Sequence, residues 1–512
     1  MSETELKLTA LDGVAPPLDA FEALRPGAAS MRKQRLRSWV FDTPDGTLRR
    51  AGFVLRLRQA GDALLQTVKT PGDGAFERGE WEAPVASPPP ADGSVDAGAL
   101  DFAMIAQTPL GPLVEEARGE LVEVFRVDVE RATLLVETGG AVVEAAADQG
   151  EIVAKASGAR AAVAEIELEL KGGDKRILFK LARELAAAAP LSLSLISKAE
   201  RGFRLADGRA GQAQKASAPR IGDDASAADA FAAICHACLR DFMLNAAMLG
   251  RGARASPDAV HQGRIALRRL RAAFALFKPI VRDDAFDGAA AEVKRLARLF
   301  GVARDRDVMT QAALEKGEGG EAFRRWLADE SARLHDEISQ ELAAPRWRLF
   351  LIDFCLWLDD GAWRAAAARR PKRIAKFARR RLRRRLKALA RRGAALEALS
   401  PDDRHELRID AKTLRYMGEF FAGARAVAPH KSMSKFLKRL EIVQSALGEM
   451  HDEEAKTEGG AADLARWRAE AGEVAPEEAA AAERFFEPAQ DDGARLAAAA
   501  KALGKLARDD PF

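Results

Sequence analysis

The sequence predicts an α+β protein of several domains: a barrel or closed sheet of about eight strands, then two related helical bundles. Three observations carry this. Residues 1–205 fall into short stretches of alternating polarity that end at Gly, Pro or Asp. Residues 226–512 carry Leu, Ala, Phe and Arg at spacings of three and four, with few β-branched residues. The helical half also repeats itself. At 512 residues, the chain has room for several domains of about 100–200 residues each.

TELKLTA, SWVFDTP, FVLRLRQ, ALLQTVKT, VFRVDVERATLLVE, AVVEAAAD and AEIELELK read as strands. Ile177 to Ala189 reads as a helix, and a further short strand follows around Leu191–Ile196. Pro84 to Gly98 is rich in Pro, Ala and Gly and reads as a loop. Residues 206–225, DGRAGQAQKASAPRIGDDAS, are small and polar and read as a linker between a domain at 1–205 and one at 226–512. In the helical half, breaks are expected near Gly250–Pro257, Gly317–Gly320, Gly361, Ser400–Pro401, Gly459–Gly460 and Asp491–Gly493. His261-x-x-Arg264-x-x-x-Arg268-x-x-Arg271 is echoed 144 residues on by His405-x-x-Arg408-x-x-x-Lys412-x-x-Arg415. Gly301-x-x-Arg304-Asp305 is echoed 147 residues on by Gly448-x-x-His451-Asp452. Two echoes at nearly one offset predict two related bundles, at about 226–365 and 366–512.

The 80 Lys and Arg against 77 Asp and Glu leave a net charge of +3, a near-balance that by itself suggests no polyanionic partner. Counted by segment it comes apart: residues 1–200 are −8, residues 201–450 are +18 and residues 451–512 are −7. Such asymmetry points to a polyanion partner rather than to a fold. Hydrophobic residues at 48 % exclude global disorder. No apolar run approaches the roughly 18 residues that a membrane-spanning helix needs. MSETELKL lacks the basic and apolar regions of a secretory signal, and three cysteines cannot make a disulfide framework. A reducing, cytosolic setting is expected.

In a strand, residues two apart share a face. Glu3, Glu5 and Lys7 therefore point one way, as do Arg56 and Arg58, and as do Glu165, Glu167 and Glu169. An ordinary half-exposed strand alternates in the same manner. Like charges on adjacent same-face positions repel, however. The glutamate ladder becomes favourable around a divalent cation, and paired arginines become favourable against phosphate oxygens. Together they describe a metal–polyphosphate site inside a barrel. Residues 1–205 contain no His or Cys, which leaves metal-assisted hydrolysis as the natural reaction class.

Glu3-x-Glu5-x-Lys7 is an ExExK signature. Phe41-Asp42-Thr43-Pro44, Leu55-Arg56-Leu57-Arg58, Thr67-Val68-Lys69, Arg78-x-Glu80-x-Glu82, Phe125-Arg126 with Arg131, and Glu144 with Asp148 follow it. Glu165-x-Glu167-x-Glu169-Leu170-Lys171 and Ser197-Lys198-Ala199-Glu200-Arg201-Gly202 complete the set. In this order they make residues 1–205 resemble the CYTH family, the triphosphate tunnel metalloenzymes. Val40-Phe41 departs from the family's usual aromatic Tyr pair. The resemblance implies a closed antiparallel barrel of eight strands around a charged tunnel that takes linear triphosphates, inorganic triphosphate foremost. It implies Mg²⁺ or Mn²⁺ on Glu3, Glu5, Glu167 and Glu169, with Lys7 joining them in the catalytic set. It implies that Lys7, Arg56, Arg58, Lys69, Arg126 and Lys198 clamp the phosphates. Thiamine triphosphatases and class IV adenylate cyclases share this barrel, and a non-catalytic, binding-only role is the alternative.

On a helix, positions i, i+3, i+7 and i+10 fall within one arc. His261, Arg264, Arg268 and Arg271 therefore form one basic stripe, and His405, Arg408, Lys412 and Arg415 another. Residues 369–392 hold 14 basic side chains in 24, over an apolar stripe of Ile374, Phe377, Leu382, Leu386 and Leu389. Nucleic acid would meet similar electrostatics there, but the helix offers no aromatic platform for bases. These motifs, with Ala303-Arg304-Asp305-x-Asp307 and Leu447-Gly448-x-x-His451-Asp452, make residues 226–512 resemble the CHAD domain. The resemblance implies two four-helix bundles with a basic surface that binds inorganic polyphosphate, often at polyphosphate granules. On that reading His261, Arg264, Arg268, Arg271, Arg304, Arg380, Arg384, His405, Arg408, Lys412, Arg415 and His451 carry the binding. Cys235-His236-Ala237-Cys238 lacks the second Cys/His pair of a zinc site, so its cysteines are expected in the core. His335 is expected at the surface.

Overall fold

The structure is a computed structural model that describes residues 2–24, 30–71, 76–87, 95–249, 256–315, 320–369, 371–472, 474–486, 493–509 and 511–512. The chain divides into two compact units. One is Met1–Gln212 with Glu341–Leu356, and the other is Ala213–Gln340 with Trp357–Phe512.

The sheet of the first unit contains β1 (Ser2–Ala10), β2 (Arg32–Asp42), β3 (Val54–Ala60), β4 (Ala63–Lys69), β5 (Glu77–Pro84), β6 (Val122–Thr138), β7 (Ala141–Ala154), β8 (Arg160–Gly172) and β9 (Leu191–Ser194). They run β5-β4-β3-β2-β6-β7-β8-β1-β9, and β1 also pairs with β5. That pairing closes eight antiparallel strands into a barrel, the fold expected. Strand β1 meets β5 through Ser2–Thr4 and β9 through Lys7–Ala10, both on the edge away from β8. Strand β5 differs from the sequence reading, which has no strand there. Its Arg78, Glu80 and Glu82 alternate with Gly79, Trp81 and Ala83, of which only Trp81 is a large apolar side chain, so the strand carries little apolar signal.

Five helices accompany the barrel: α1 (Thr47–Ala51), α2 (Phe102–Ala106), α3 (Gly111–Ala117), α4 (Arg176–Ala188) and α5 (Lys198–Ala206). Trp39, Phe41, Leu55 and Leu57 point out of the barrel and pack with Ile105, Leu110 and Val114 of the α2–α3 segment. Burying such side chains contributes roughly 1.5–3 kcal/mol each, which is why the arginines alternating with them can face inward. Ser197 caps α5 by accepting from the Glu200 amide at 3.1 Å, half of a Ser-x-x-Glu capping box. The helix then seats Phe203 and Leu205 on Val127, Val129 and Phe125 of β6. A side chain at Gly202 would overlap the Phe125 ring, so only glycine permits this close approach.

The second unit holds α6 (Ala227–Ala246), α7 (Pro257–Val281), α8 (Phe286–Glu315), α9 (Glu321–Ala343, its end in the first unit), α10 (Pro345–Asp360, mostly in the first unit), α11 (Ala362–Arg369), α12 (Ile374–Arg392), α13 (Pro401–Glu419), α14 (His430–Ala471), α15 (Pro476–Arg484) and α16 (Gly493–Arg508). Phe231, Phe274, Phe277, Trp357 and Trp363 cluster at its core. All five apolar stripe residues of α12 are buried, as the spacing predicts, and Phe377 stacks on Phe277. Cys235 and Cys238 are buried and not joined in a disulfide.

Three expectations are corrected. Helix α14 runs unbroken through Gly459–Gly460. Gly460 serves packing there, because any side chain would meet the Phe486 ring. His335 is buried at 7 % exposure, with Nε2 2.9 Å from Asp307 on α8; its spacing from Leu327, Ser331 and Leu334 places it on the inner face of α9. Finally, the segment 206–225 is partly docked. Ser217 donates its amide to Asp241 at 2.8 Å, the Gln214 amide donates to Asn245 at 2.9 Å, and Arg269 donates to the Ser217 carbonyl at 2.8 Å.

Candidate functional site

Strand register assembles the barrel site. Glu5 lies opposite Glu169, which lies opposite Glu144. One pair further on, Lys7 faces Glu167; beyond it Glu165 faces Asp148, which faces Arg131. On the far wall Arg56 pairs with Thr67, which pairs with Glu82, and Lys69 pairs with Glu80. Cross-strand partners share a face, so these side chains converge on one interior cavity of about 920 Å³. Eight carboxylates and eight cationic side chains line it. A multiply charged phosphate entering a balanced site needs further positive charge to come with it.

Of the residues expected in the site, Glu3, Glu5, Lys7, Arg56, Arg58, Lys69, Glu167, Glu169 and Lys198 line this cavity. Glu165 sits just behind it, 1 % exposed. Arg126 does not line it. The inward positions of β6 are Phe125, Val127, Val129 and Arg131, so Arg126 is one residue out of phase and Arg131 reaches in. Arg78, Glu80, Glu82, Arg131, Glu144, Asp148 and Lys171 also line the cavity and had no role assigned. The period-two phase of β6 was the available signal for Arg131, and the alternating charges of Arg78-x-Glu80-x-Glu82 were the available signal for Arg78.

The carboxylates fall into two groups. Oxygens of Asp148, Glu165 and Glu167 lie within 4.8 Å of one another. The Lys198 ammonium sits among them, 2.7 Å from Asp148 and 2.9 Å from Glu167, and bonded to Glu165. Arg131 donates to Asp148 from Nε at 2.7 Å and from Nη2 at 2.6 Å, and its Nη2 also donates to Glu167 at 2.6 Å. Burial alone would raise the Glu167 carboxyl, but Lys198, Arg131 and Lys7 hold it well below its usual range. Burial also works against the Lys198 ammonium, yet its three carboxylates raise it. In the second group Glu3 meets Lys69 at 2.8 Å and Arg78 at 3.5 Å, while Glu5 bonds Lys7 and Arg78. Glu169, 2.6 Å from Lys171, is raised, first by burial and then by Glu3 and Glu144.

Arginine chemistry completes the site. Burial, then Arg56 and Arg131, push the Arg58 guanidinium down to about 9. The Nε atoms of Arg56 and Arg58 are buried with no hydrogen-bond partner among the described residues. Unsatisfied buried donors are costly unless a ligand takes them. Asp148, Glu165 and Glu167 each offer an oxygen that could ligate a divalent cation, which would share them with the Lys198 ammonium.

In the helical unit α7 and α13 bring their stripes together. Arg264, Arg304 and Arg408 lie close enough to help lower His261, Arg268 and Lys412. Burial, then Arg304, Arg264 and Lys412, drive His261 down to about 4. Burial, then Arg268, Arg408, Arg264 and Arg415, drive Lys412 down to about 7. The repeat is visible in space: a side chain at Gly301 would meet Arg264, and one at Gly448 would meet Arg408. Arg271 neighbours Arg268, and Arg415 engages Glu419 at 3.0 Å and Gln444 at 2.8 Å. His405 sits half-buried on the first turns of α13. Arg380 and Arg384 lie apart from these, exposed along α12 in a shallow groove with Lys376, Arg383 and Lys387. The His451 side chain lies outside the described residues.

Parts of the chain are similar to known proteins. A stretch of 173 residues is 30 % identical to an inorganic triphosphatase of Haemophilus influenzae, covering 33 % of this chain and 46 % of that one. The chain thus spans about half the length of that curated relative. The CHAD domain of the plant Ricinus communis is 24 % identical, covers 57 % of this chain and 96 % of its own, and has a TM-score of 0.47. A putative adenylyl cyclase from Hippeastrum, described as having a dominant triphosphatase activity, is 16 % identical, covers 40 % of this chain and 96 % of its own, and has a TM-score of 0.27. Residues 1–203 match the CYTH domain family and residues 233–458 the CHAD domain family: the chain carries a CYTH domain followed by a CHAD domain.

Proposed function

We propose that the barrel hydrolyses a linear triphosphate, inorganic triphosphate foremost, with Mg²⁺ or Mn²⁺, and that the helical unit binds inorganic polyphosphate. The observation that supports the first part best is the pair of buried Arg56 and Arg58 Nε donors without partners, facing a wall of carboxylates. Guanidinium groups prefer phosphate oxygens and hold them in a fixed fork. Phosphoryl transfer asks mainly for positioning and charge neutralisation. Arg56, Arg58, Lys69 and Arg78 orient the chain, and Lys7 and Lys198 carry charge towards its bridging oxygens. Asp148, Glu165 and Glu167, with Glu3, Glu5 and Glu169, would hold the divalent cation, which supplies charge neutralisation and water activation when bound. The helical cations then keep phosphate chains at hand, and the protein works in the cytoplasm at polyphosphate stores. No described helix is long and apolar enough to cross a membrane.

A second reading has its own observation. Trp81 and Met104 also line the cavity, and an aromatic wall suits an organic triphosphate such as thiamine triphosphate. Phosphate release from inorganic triphosphate, thiamine triphosphate, ATP and long-chain polyphosphate, with Mg²⁺ or Mn²⁺ present, decides between them. The first reading expects inorganic triphosphate to be turned over fastest. No release from any of the four, with binding intact, leaves a binding-only protein.

A further inference from the structure

Helix α12 carries a second cationic surface, apart from the half-buried cluster of α7 and α13. Arg373, the residue before its first turn, is followed at steps of three or four by Lys376, Arg380, Arg384, Lys387 and Arg391. That spacing sets all six within an arc of roughly 80° and along a row of about 27 Å. All six are exposed, and none of their side chains has a hydrogen bond or ion pair among the described residues. Most of the row borders a shallow groove lined by this helix and Arg373 alone. No Asp or Glu occurs between residues 369 and 392. The other side of the helix is fixed. Its apolar stripe is buried, Arg379 donates to the Val427 carbonyl at 2.9 Å and to the Ala426 carbonyl at 2.6 Å, and Arg392 bonds Asp410. Like charges three and four apart on a helix repel, so a rigidly held row of them is most favourable against a polyanion.

We propose that this face of α12 binds the phosphate backbone of a nucleic-acid duplex without reading its sequence. A duplex presents one negative charge per about 1.7 Å of axis, so about 16 phosphates pass along a row of this length. Duplex DNA has a persistence length of about 50 nm, so over this distance it is a straight rod that meets the row without first being ordered. A flexible polyphosphate chain would have to be ordered along it, at an entropic cost. Guanidiniums hold phosphate oxygens in a fixed fork.

Backbone contact asks for no aromatic side chain, whereas a single strand is held by stacking its bases. The one aromatic residue of α12, Phe377, is buried against Phe277. A membrane surface is a poorer match, because interfacial helices insert an apolar face and that of α12 is committed to the core. The site lies beyond the polyphosphate reading and does not depend on it.

The test uses the full chain with short fluorescent duplexes, two of unrelated DNA sequence and one of RNA, followed by anisotropy across a salt series. The two DNA sequences should bind within about twofold of each other, with log affinity falling against log salt at a slope of about −5, from about 0.9 for each of six phosphates. Arg380→Gln with Arg384→Gln should make the slope shallower by about 2. Lys435→Gln with Lys438→Gln removes the same charge from exposed positions of α14 and should leave the slope unchanged. Binding of either kind of duplex supports the proposal and identifies the source. No binding of any duplex at low salt overturns it, and so does an equal change of slope in both double variants. A preference above about tenfold for one DNA sequence, the mark of base readout, overturns it as well. On the unmodified chain, a duplex should shield Lys376 and Lys387 from acetic anhydride and leave Lys435 reactive, read by peptide mass spectrometry. That measurement keeps the test decisive if a variant fails to fold. Shielding of Lys376 and Lys387 by long-chain polyphosphate or by phosphatidylserine vesicles, but by no duplex, gives the face to another partner and overturns the proposal.

Discussion

The Lys198 ammonium lies 2.7 Å from an Asp148 carboxylate oxygen, in the middle of three buried carboxylates. It occupies the place where charge density favours a cation, and it arrives from α5 rather than from the strands. Lys198→Met should therefore leave Asp148, Glu165 and Glu167 under-neutralised. Breaking such a buried arrangement costs about 3–5 kcal/mol, and Mn²⁺ should restore part of the loss. Denaturant unfolding with chelator and with Mn²⁺ measures both; a variant as stable as wild type in chelator contradicts the role.

Glu167 is held well below its usual range by Lys198, Arg131 and Lys7 against its own burial. Glu167→Gln keeps the shape and removes the charge. Turnover of inorganic triphosphate should fall by roughly 10²–10³, the loss typical of one electrostatic contact in a preorganised site. Polyphosphate binding by the full chain should be unchanged, and parallel loss of both would show that the two sites are not separate.

Arg58 and Arg126 look alike in sequence and differ in space. Arg58→Gln should weaken triphosphate binding by about 1.5–3 kcal/mol, the value of a charge-assisted hydrogen bond, read as a raised KM. Arg126→Gln should leave both kcat and KM within about twofold, because a change outside the cavity removes no substrate contact. Steady-state kinetics on the two variants tests the strand phase directly.

Lys412 at about 7 and His261 at about 4 both lie below their ordinary values. The unfolded chain therefore binds more protons than the folded one. For Lys412 the helical unit should gain stability as pH rises from about 7 to about 10, where the unfolded lysine titrates. A bound phosphate chain reverses the field on Lys412, so binding near pH 7 should take up protons and affinity should fall as pH rises. Calorimetric titration with polyphosphate in buffers of different ionisation heat measures the uptake; zero uptake contradicts it.

Arg380 and Arg384 are exposed on α12, away from the half-buried cluster. Arg380→Glu with Arg384→Glu should flatten the dependence of polyphosphate affinity on salt, because fewer counterions are released. Arg268→Glu should lower affinity at every salt concentration. Isotherms across a salt series separate the two.

Charge alternation in β1, β3 and β8 marked Glu3, Glu5, Lys7, Arg56, Arg58, Glu165, Glu167 and Glu169 from the sequence, because strand periodicity fixes a face without knowledge of partners. The helical spacing likewise marked the stripes of α7 and α13 and the buried side of α12. Strand β5 was invisible, since its apolar signal is weak and its pairing with β1 and β4 is long-range. The family resemblance put Arg126 in the phosphate clamp, whereas the register of β6 against β2 and β7 decides that Arg131 faces the cavity. His335 shares the inner face of α9 with Leu327, Ser331 and Leu334, and its polar partner there, Asp307, lies 28 positions earlier.

By itself, then, the sequence determined most element types and the charged faces, which follow from local period and composition, whereas the grouping of Glu341–Leu356 with the first unit does not. Tertiary structure decided which faces meet. It set Lys198 among Asp148, Glu165 and Glu167, and left the Arg56 and Arg58 Nε donors without a hydrogen-bond partner among the described residues. Those outcomes depend on register and packing between residues distant in the chain, and electrostatic coupling falls with distance in space, whatever the separation in sequence.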